Sequence, residues 1–252
     1  MNINAPYPEF SIIWLMITTI VALISGFISS WLYYTFIKRK ELKETKKLEL
    51  EKSKKERVNL EIIRWANPIH RSVQGLHYRL RFILEKGGYT DFKSGNKKYD
   101  YMMNSTLFYF AQYFAWIELL QEELNIEIFQ SQVQETEFFN SIIDVGKTLS
   151  RYPPGYECKG EDIRIWSLQQ RAIGEMMLVK EGDQKRCMNY VEFLKVIKNP
   201  DFFEFFLPIK LFIDGIDRDN PDHNCRWQRL LKFYEQVINL EKICEKRLSI
   251  DS

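Results

Sequence analysis

Hydrophobic and polar positions divide the chain into three blocks. Residues 10–37 form an unbroken run of 28 uncharged residues, rich in Ile, Leu, Val, Phe and Trp. A helix of that length reaches ~42 Å against a hydrocarbon core of ~30 Å, so the run predicts one transmembrane helix with length left for tilt. Trp14 stands near one end, and Trp31, Tyr33 and Tyr34 near the other. Amphipathic rings settle at those two interfaces. The run is too long for a cleaved signal peptide, and no basic residue precedes it. Residues 38–57, KRKELKETKKLELEKSKKER, favour helix by composition but hold no apolar heptad, which predicts a basic helical connector.

The third block, residues 58–252, reads as helix after helix. Asn67 can cap a helix with Pro68 in its first position, and Gly87 and Gly88 end it. Between them Ile69, Val73, Leu76, Leu80, Ile83 and Leu84 make one apolar stripe. Residues 89–99 read as a loop. Residues 101–124 are apolar or aromatic on all sides over their first two-thirds, the mark of a central buried helix. Phe108, Tyr109, Phe110, Tyr113, Phe114 and Trp116 supply much of the core there. Further helices are predicted over about 136–150, 162–179, 186–198, 201–213 and 223–248, with Pro208 kinking or dividing the fourth. No run alternates between hairpin turns, so no strand is predicted. The fold class is all-α. The organisation is a short extracytoplasmic tail (1–9), a transmembrane helix (10–37), a connector (38–57) and one cytoplasmic multi-helix domain (58–252).

Charge fixes the expected orientation. The chain as a whole is nearly balanced, with 36 Lys and Arg against 34 Asp and Glu. Residues 38–57 alone carry ten Lys or Arg and five Glu. Lys38, Arg39, Lys40, Lys43, Lys46 and Lys47 follow the span directly. The positive-inside rule then places that side in the cytoplasm and the N-terminus outside. The same six cations are candidates for anionic-lipid contact, where each contributes ~1 kcal/mol. Nucleic acid is disfavoured as a partner, because the Glu residues are interleaved and no aromatic residues accompany the cluster. Cys158, Cys187, Cys225 and Cys244 are scattered without a CxxC pair, which suggests reduced, mostly buried thiols.

Candidate chemistry is sparse. Thr18, Ala22, Gly26 and Ser30, each four residues apart, give the span a small face suited to self-association. His70, Gln74, His77 and Arg81 border the apolar stripe of their helix. They form either a structural polar seam or a site for an anion such as a nucleotide phosphate. Gln170 sits in the apolar face formed by Ile163, Trp166, Ile173 and Met177, beside Gly174. It is either a polar core lock or part of a pocket wall with the His70 stripe. Residues 141–148, SIIDVGKT, miss a phosphate loop by their first residue and by context, since the preceding residues look helical. Glu118, Glu122 and Glu175 read as solvated or paired helix residues. His223 and Cys225, two apart, point to different faces of a helix and make no catalytic pair. No catalytic residue, cofactor or metal site is indicated, and helical His pairs at i,i+4 are missing from the sequence.

The segments Trp65-Ala66-Asn67-Pro68-Ile69, Tyr109-x-x-x-Tyr113-Phe114-Ala115-Trp116 and Gln170-Arg171-Ala172-Ile173-Gly174-Glu175 resemble a family of bacterial proteins. Its members have one N-terminal span and a helical cytoplasmic domain. Cys187-Met188-x-Tyr190-x-x-Phe193 is similar too. The resemblance covers roughly 60–250. It implies a bacterial inner-membrane location but no activity, so no catalytic residue carries over. The expected role is a membrane-anchored binding, scaffold or sensor protein with an unidentified protein partner. The alternatives are a ligand-gated membrane effector, as in phage defence, that senses a nucleotide and forms a homo-oligomer, and an enzyme of unrecognised type.

Overall fold

The computed structural model describes residues 8–93, 95–123, 137–151, 163–220 and 224–249. Residues 1–7, the segment holding Cys158 and the residue His223 lie outside them. The fold is all-α, apart from one short hairpin among the described residues. The chain divides into two compact units, Met1–Asn59 and Leu60–Ser252.

In the first unit, every described side chain from residue 12 to 34 is exposed. Within Ile12–Arg57 the helix is long and apolar enough to cross a membrane. The hydroxyl of Thr18 donates to the Trp14 and Leu15 carbonyls at 3.0 Å, and that of Ser25 to the Ala22 carbonyl at 2.9 Å. Each buries its polarity within its own helix. Gly26 faces open space. The connector is helical throughout.

Helix α1 runs from Pro8 to Glu85 and passes through Pro68, which is inside it and does not begin it. The expected start at Asn67 is therefore corrected. The reason is packing. Trp65 and Ala66 are buried together with Ile69, Val73, Leu76, Leu80, Ile83 and Leu84. One 3.6-residue stripe thus extends to both sides of the proline and outweighs its lost hydrogen bond. The helix stops where expected, because Gly87 adopts φ 75°, a left-handed conformation that suits glycine. A 3-10 turn, Gly88–Phe92, opens the segment expected as loop.

Helix α2 (Tyr99–Glu123) is the central element, with Phe108, Phe110, Tyr113 and Phe114 buried. Helices α3 (Glu137–Ser150) and α4 (Ser167–Met176) follow. The latter is shorter than expected, because residues 163–166 are not helical and a strand begins at Leu178. Ile163, Ile173 and Met177 are buried, but Trp166 is exposed, with the Arg164 guanidinium 3.9 Å from its ring centre. Strands β1 (Leu178–Glu181) and β2 (Gln184–Cys187) pair antiparallel across the two-residue turn Gly182-Asp183. This hairpin corrects the expectation of no strand. Its charged tip, Lys180 to Arg186, lacks the apolar alternation by which strands are recognised.

Helix α5 (Tyr190–Val196) is capped by Asn189, whose side chain accepts from the Glu192 amide at 3.0 Å. Helices α6 (Pro200–Glu204) and α7 (Leu207–Ile213) are separate, as Pro208 predicts. Helix α8 (Asn224–Ser249) closes the fold. In the core α2 packs on α4, and α3 on α8. Phe110 stacks on Phe233 of α8 at 5.2 Å, and Phe108 meets Phe193 of α5 at 5.6 Å. Buried Arg229 of α8 donates to the Thr148 carbonyl at 3.3 Å and to that of Leu149, in the last turn of α3. The guanidinium fills the place of a helix C-cap.

Candidate functional site

Two polar regions stand out in the helical unit. The first is a seam between α1 and α8. His70, Gln74, His77 and Arg81 lie along one flank of α1, beside the buried stripe; His70 and His77 meet residues of α8, and Arg81 meets α1's own last turn. His77 Nδ1 pairs with Glu241 Oε2. The Tyr234 hydroxyl donates to Glu85 Oε1 at 2.9 Å, and its oxygen stands 3.4 Å from His77 Nε2. Arg81 Nε donates to Glu85 Oε2 at 3.2 Å. His70 Nε2 is 3.6 Å from Glu245 Oε1. Gln74 is half-buried between the two histidines. The two helices run antiparallel here: residues 70, 77 and 85 meet 245, 241 and 234. Glu85 and Glu241 pair with Arg81 and His77, so those two donors are matched to protein anions and not to a phosphate.

Gln170 belongs to the second region. Its Nε2 donates to the carbonyls of Gly146 at 2.9 Å and Ile165 at 2.7 Å, tying α4 to α3. The amide thus has two backbone partners. The amide also borders a cavity of about 420 Å³ between α2, α3 and α4. Tyr113, Phe114 and Glu118 form one side, and Lys147, Arg151 and Arg171 bring cations to it. None of the four stripe residues lines this cavity, so the two halves of the expected ligand site do not come together.

Burial shifts both Tyr113 and Glu118 upward at this cavity, and Glu118 is the one brought near neutrality. Burial pushes its carboxyl up to about 7, and the charges of Glu175 and Glu122 add to the effect. The Arg171 guanidinium, 3.3 Å away, opposes it. Arg171 is shared, for its Nε also donates to Glu175 at 3.0 Å. A buried carboxyl poised near neutrality at the edge of a cavity is the kind of group that handles protons. No local pattern marks it, because the contacts that bury Glu118 come from a helix some fifty residues away.

Gly146, Lys147 and Thr148 lie inside α3, and Lys147 pairs with Asp144 at 3.1 Å. The near-miss phosphate loop is the interior of a helix, as expected. Cys187 and Cys244 are free thiols, and burial pushes both up to about 12, out of the nucleophilic range at neutral pH. Cys225, by contrast, is disulfide-bonded. The expectation of four reduced thiols is corrected at that position. Sequence reasoning also missed Glu241 and Glu245. Their signal was present: two carboxylates one helical turn apart, interleaved with the apolar positions Leu240, Ile243 and Cys244. No family model, curated protein or solved structure matches the chain.

Proposed function

We propose that this chain is a bacterial membrane-anchored binding or sensor protein. In this reading the apolar part of α1 crosses the inner membrane with the N-terminus outside, and the helical unit works in the cytoplasm on a protein partner. The observation that carries it is the uninterrupted exposure of residues 12–34, an apolar surface that none of the described residues covers. The cluster from Lys38 to Lys47 supports the orientation and supplies contacts for anionic headgroups. The resemblance to bacterial single-span proteins agrees. The bond at Cys225 weighs the other way, since disulfides persist in oxidising compartments. Two fusions at the C-terminus decide: a fluorescent protein that matures only in the cytoplasm, and a phosphatase active only outside. The proposal expects fluorescence without phosphatase activity, and the full chain in the membrane pellet until detergent is added. Phosphatase activity, or full chain in the detergent-free supernatant, overturns it.

The cavity favours a second reading, a ligand-gated membrane effector. Lys147, Arg151 and Arg171 suit an anion, and Tyr113 and Phe114 suit a flat ring, so a nucleotide is the matching ligand. Self-association would run along Thr18, Ala22, Gly26 and Ser30. Nucleotides that raise the melting temperature of the detergent-solubilised chain, with the rise lost in Arg151→Ala, would favour this reading over a plain scaffold.

A further inference from the structure

The seam between α1 and α8 holds a cluster of metal-ligand type. His70 of α1 and Glu241 and Glu245 of α8 offer one imidazole nitrogen and two carboxylate oxygens, all within 4.8 Å of one another. We propose that these three side chains bind a divalent transition-metal ion, zinc before others.

Four observations converge on it. The first is an orphan. His70 Nε2 is buried and has no hydrogen-bond partner. Its nearest anion, Glu245 Oε1, stands at 3.6 Å, beyond a good hydrogen bond. Two ligands of one zinc ion, each ~2.0–2.2 Å from the metal, are held about 3.4 Å apart in a tetrahedral site, so the gap suits a shared cation better than a direct contact.

The second is electrostatic. Glu241 and Glu245 are one helical turn apart, where like charges repel. A dication between them turns that repulsion into attraction. Two carboxylates and a neutral imidazole balance the charge of one M²⁺ ion.

The third is the outer shell. Ligating carboxylates are oriented by hydrogen bonds from behind. Glu241 has such a support, since its Oε2 pairs with His77 Nδ1. His77 is fixed in turn against Tyr78, with which it stacks at 5.5 Å, and by Tyr234.

The fourth is access. The Glu245 side chain is 56% exposed, whereas that of Glu241 is 10% exposed. The cluster is open on one side, which gives an entry path and leaves room for water as a fourth ligand. The imidazole selects against magnesium and calcium, which prefer all-oxygen sites. A bound ion would tie residue 70 of α1 to the last third of α8. The proposal does not depend on whether α1 crosses a membrane.

The test uses the full chain in detergent, free of any histidine tag, stripped with a chelator and dialysed against zinc. We expect one zinc per chain by elemental analysis, a dissociation constant in the micromolar range or tighter, and a melting temperature that rises with zinc but not with magnesium. Cobalt should bind in the same place and give a visible absorption band. His70→Gln and Glu245→Gln should each weaken binding about tenfold or more. Because Glu245 is exposed, Glu245→Gln keeps the metal-free melting temperature of the parent and reads the site even if His70→Gln unfolds. Substoichiometric zinc, equal stabilisation by magnesium, or unchanged zinc affinity in Glu245→Gln overturns the proposal.

Discussion

Gly174 and Phe114 set how closely α4 approaches α2. A methyl group on Gly174 would lie 2.8 Å from the Phe114 carbonyl oxygen and 2.8 Å from Glu118 Cγ. One of these is backbone and cannot swing aside. Gly174→Ala gains up to ~1 kcal/mol of helix propensity. It also forces two packed helices apart, at ~1–3 kcal/mol. The second effect wins, and the variant should unfold at lower urea than the parent by about 1–2 kcal/mol. A midpoint equal to or above the parent's would show that α4 is free to move off α2.

Glu118 makes stability depend on pH in an unusual direction for a carboxylate. Its folded value of about 7 lies above the ordinary 4.5. Between those two values the folded chain holds more protons at this group than the unfolded chain, so the contribution of Glu118 to stability falls as pH rises through that window. The full cost is present above pH 7 and amounts to about 3 kcal/mol at most. Glu118→Gln removes the charge and should therefore stabilise the chain at pH 8 far more than near pH 4.5. Urea titrations of both proteins at the two pH values test the sign. A gain at low pH and none at high pH would reverse the argument.

Arg229 is buried, its guanidinium 5.7 Å from the Phe212 ring centre and bonded to two carbonyls in the last turn of α3. Arg229→Met keeps most of the stem's packing and deletes the donors. Hydrogen bonds from a charged group contribute ~1.5–3 kcal/mol each, and the bared carbonyls add a desolvation cost. The loss should be about 3 kcal/mol in chemical unfolding. Amide exchange should quicken first in residues 145–151, since the last turn of α3 loses its anchor.

Local patterns in the chain reached as far as local physics reaches. The stripe from Ile69 to Leu84, the all-round apolarity of α2 and the break at Pro208 are properties of a few consecutive residues, and all three are present in the fold. Pro68 misled because a proline's local penalty is offset by the burial of the whole stripe from Trp65 to Leu84, which depends on what packs there. The hairpin was hidden because both strands expose their charged ends, leaving too little alternation to detect. The polar stripe on α1 was legible as a stripe, but the partners of His70 and His77 are more than 150 residues away on α8. Gln170 and His70 could therefore be grouped in sequence although different helices claim them in space. Glu118 was opaque for the same reason, being an ordinary helical glutamate until α4 covers it.

The antiparallel seam works as a vernier. Two pairings, His77 with Glu241 and Glu85 with Tyr234, and the approach of His70 to Glu245 recur along two helices and fit together in only one alignment. Sliding α1 by a single turn, about 5.4 Å, would mismatch all three rungs together. Intermediate positions gain nothing, so a signal that moves α1 lengthwise would have to release the whole ladder or none of it.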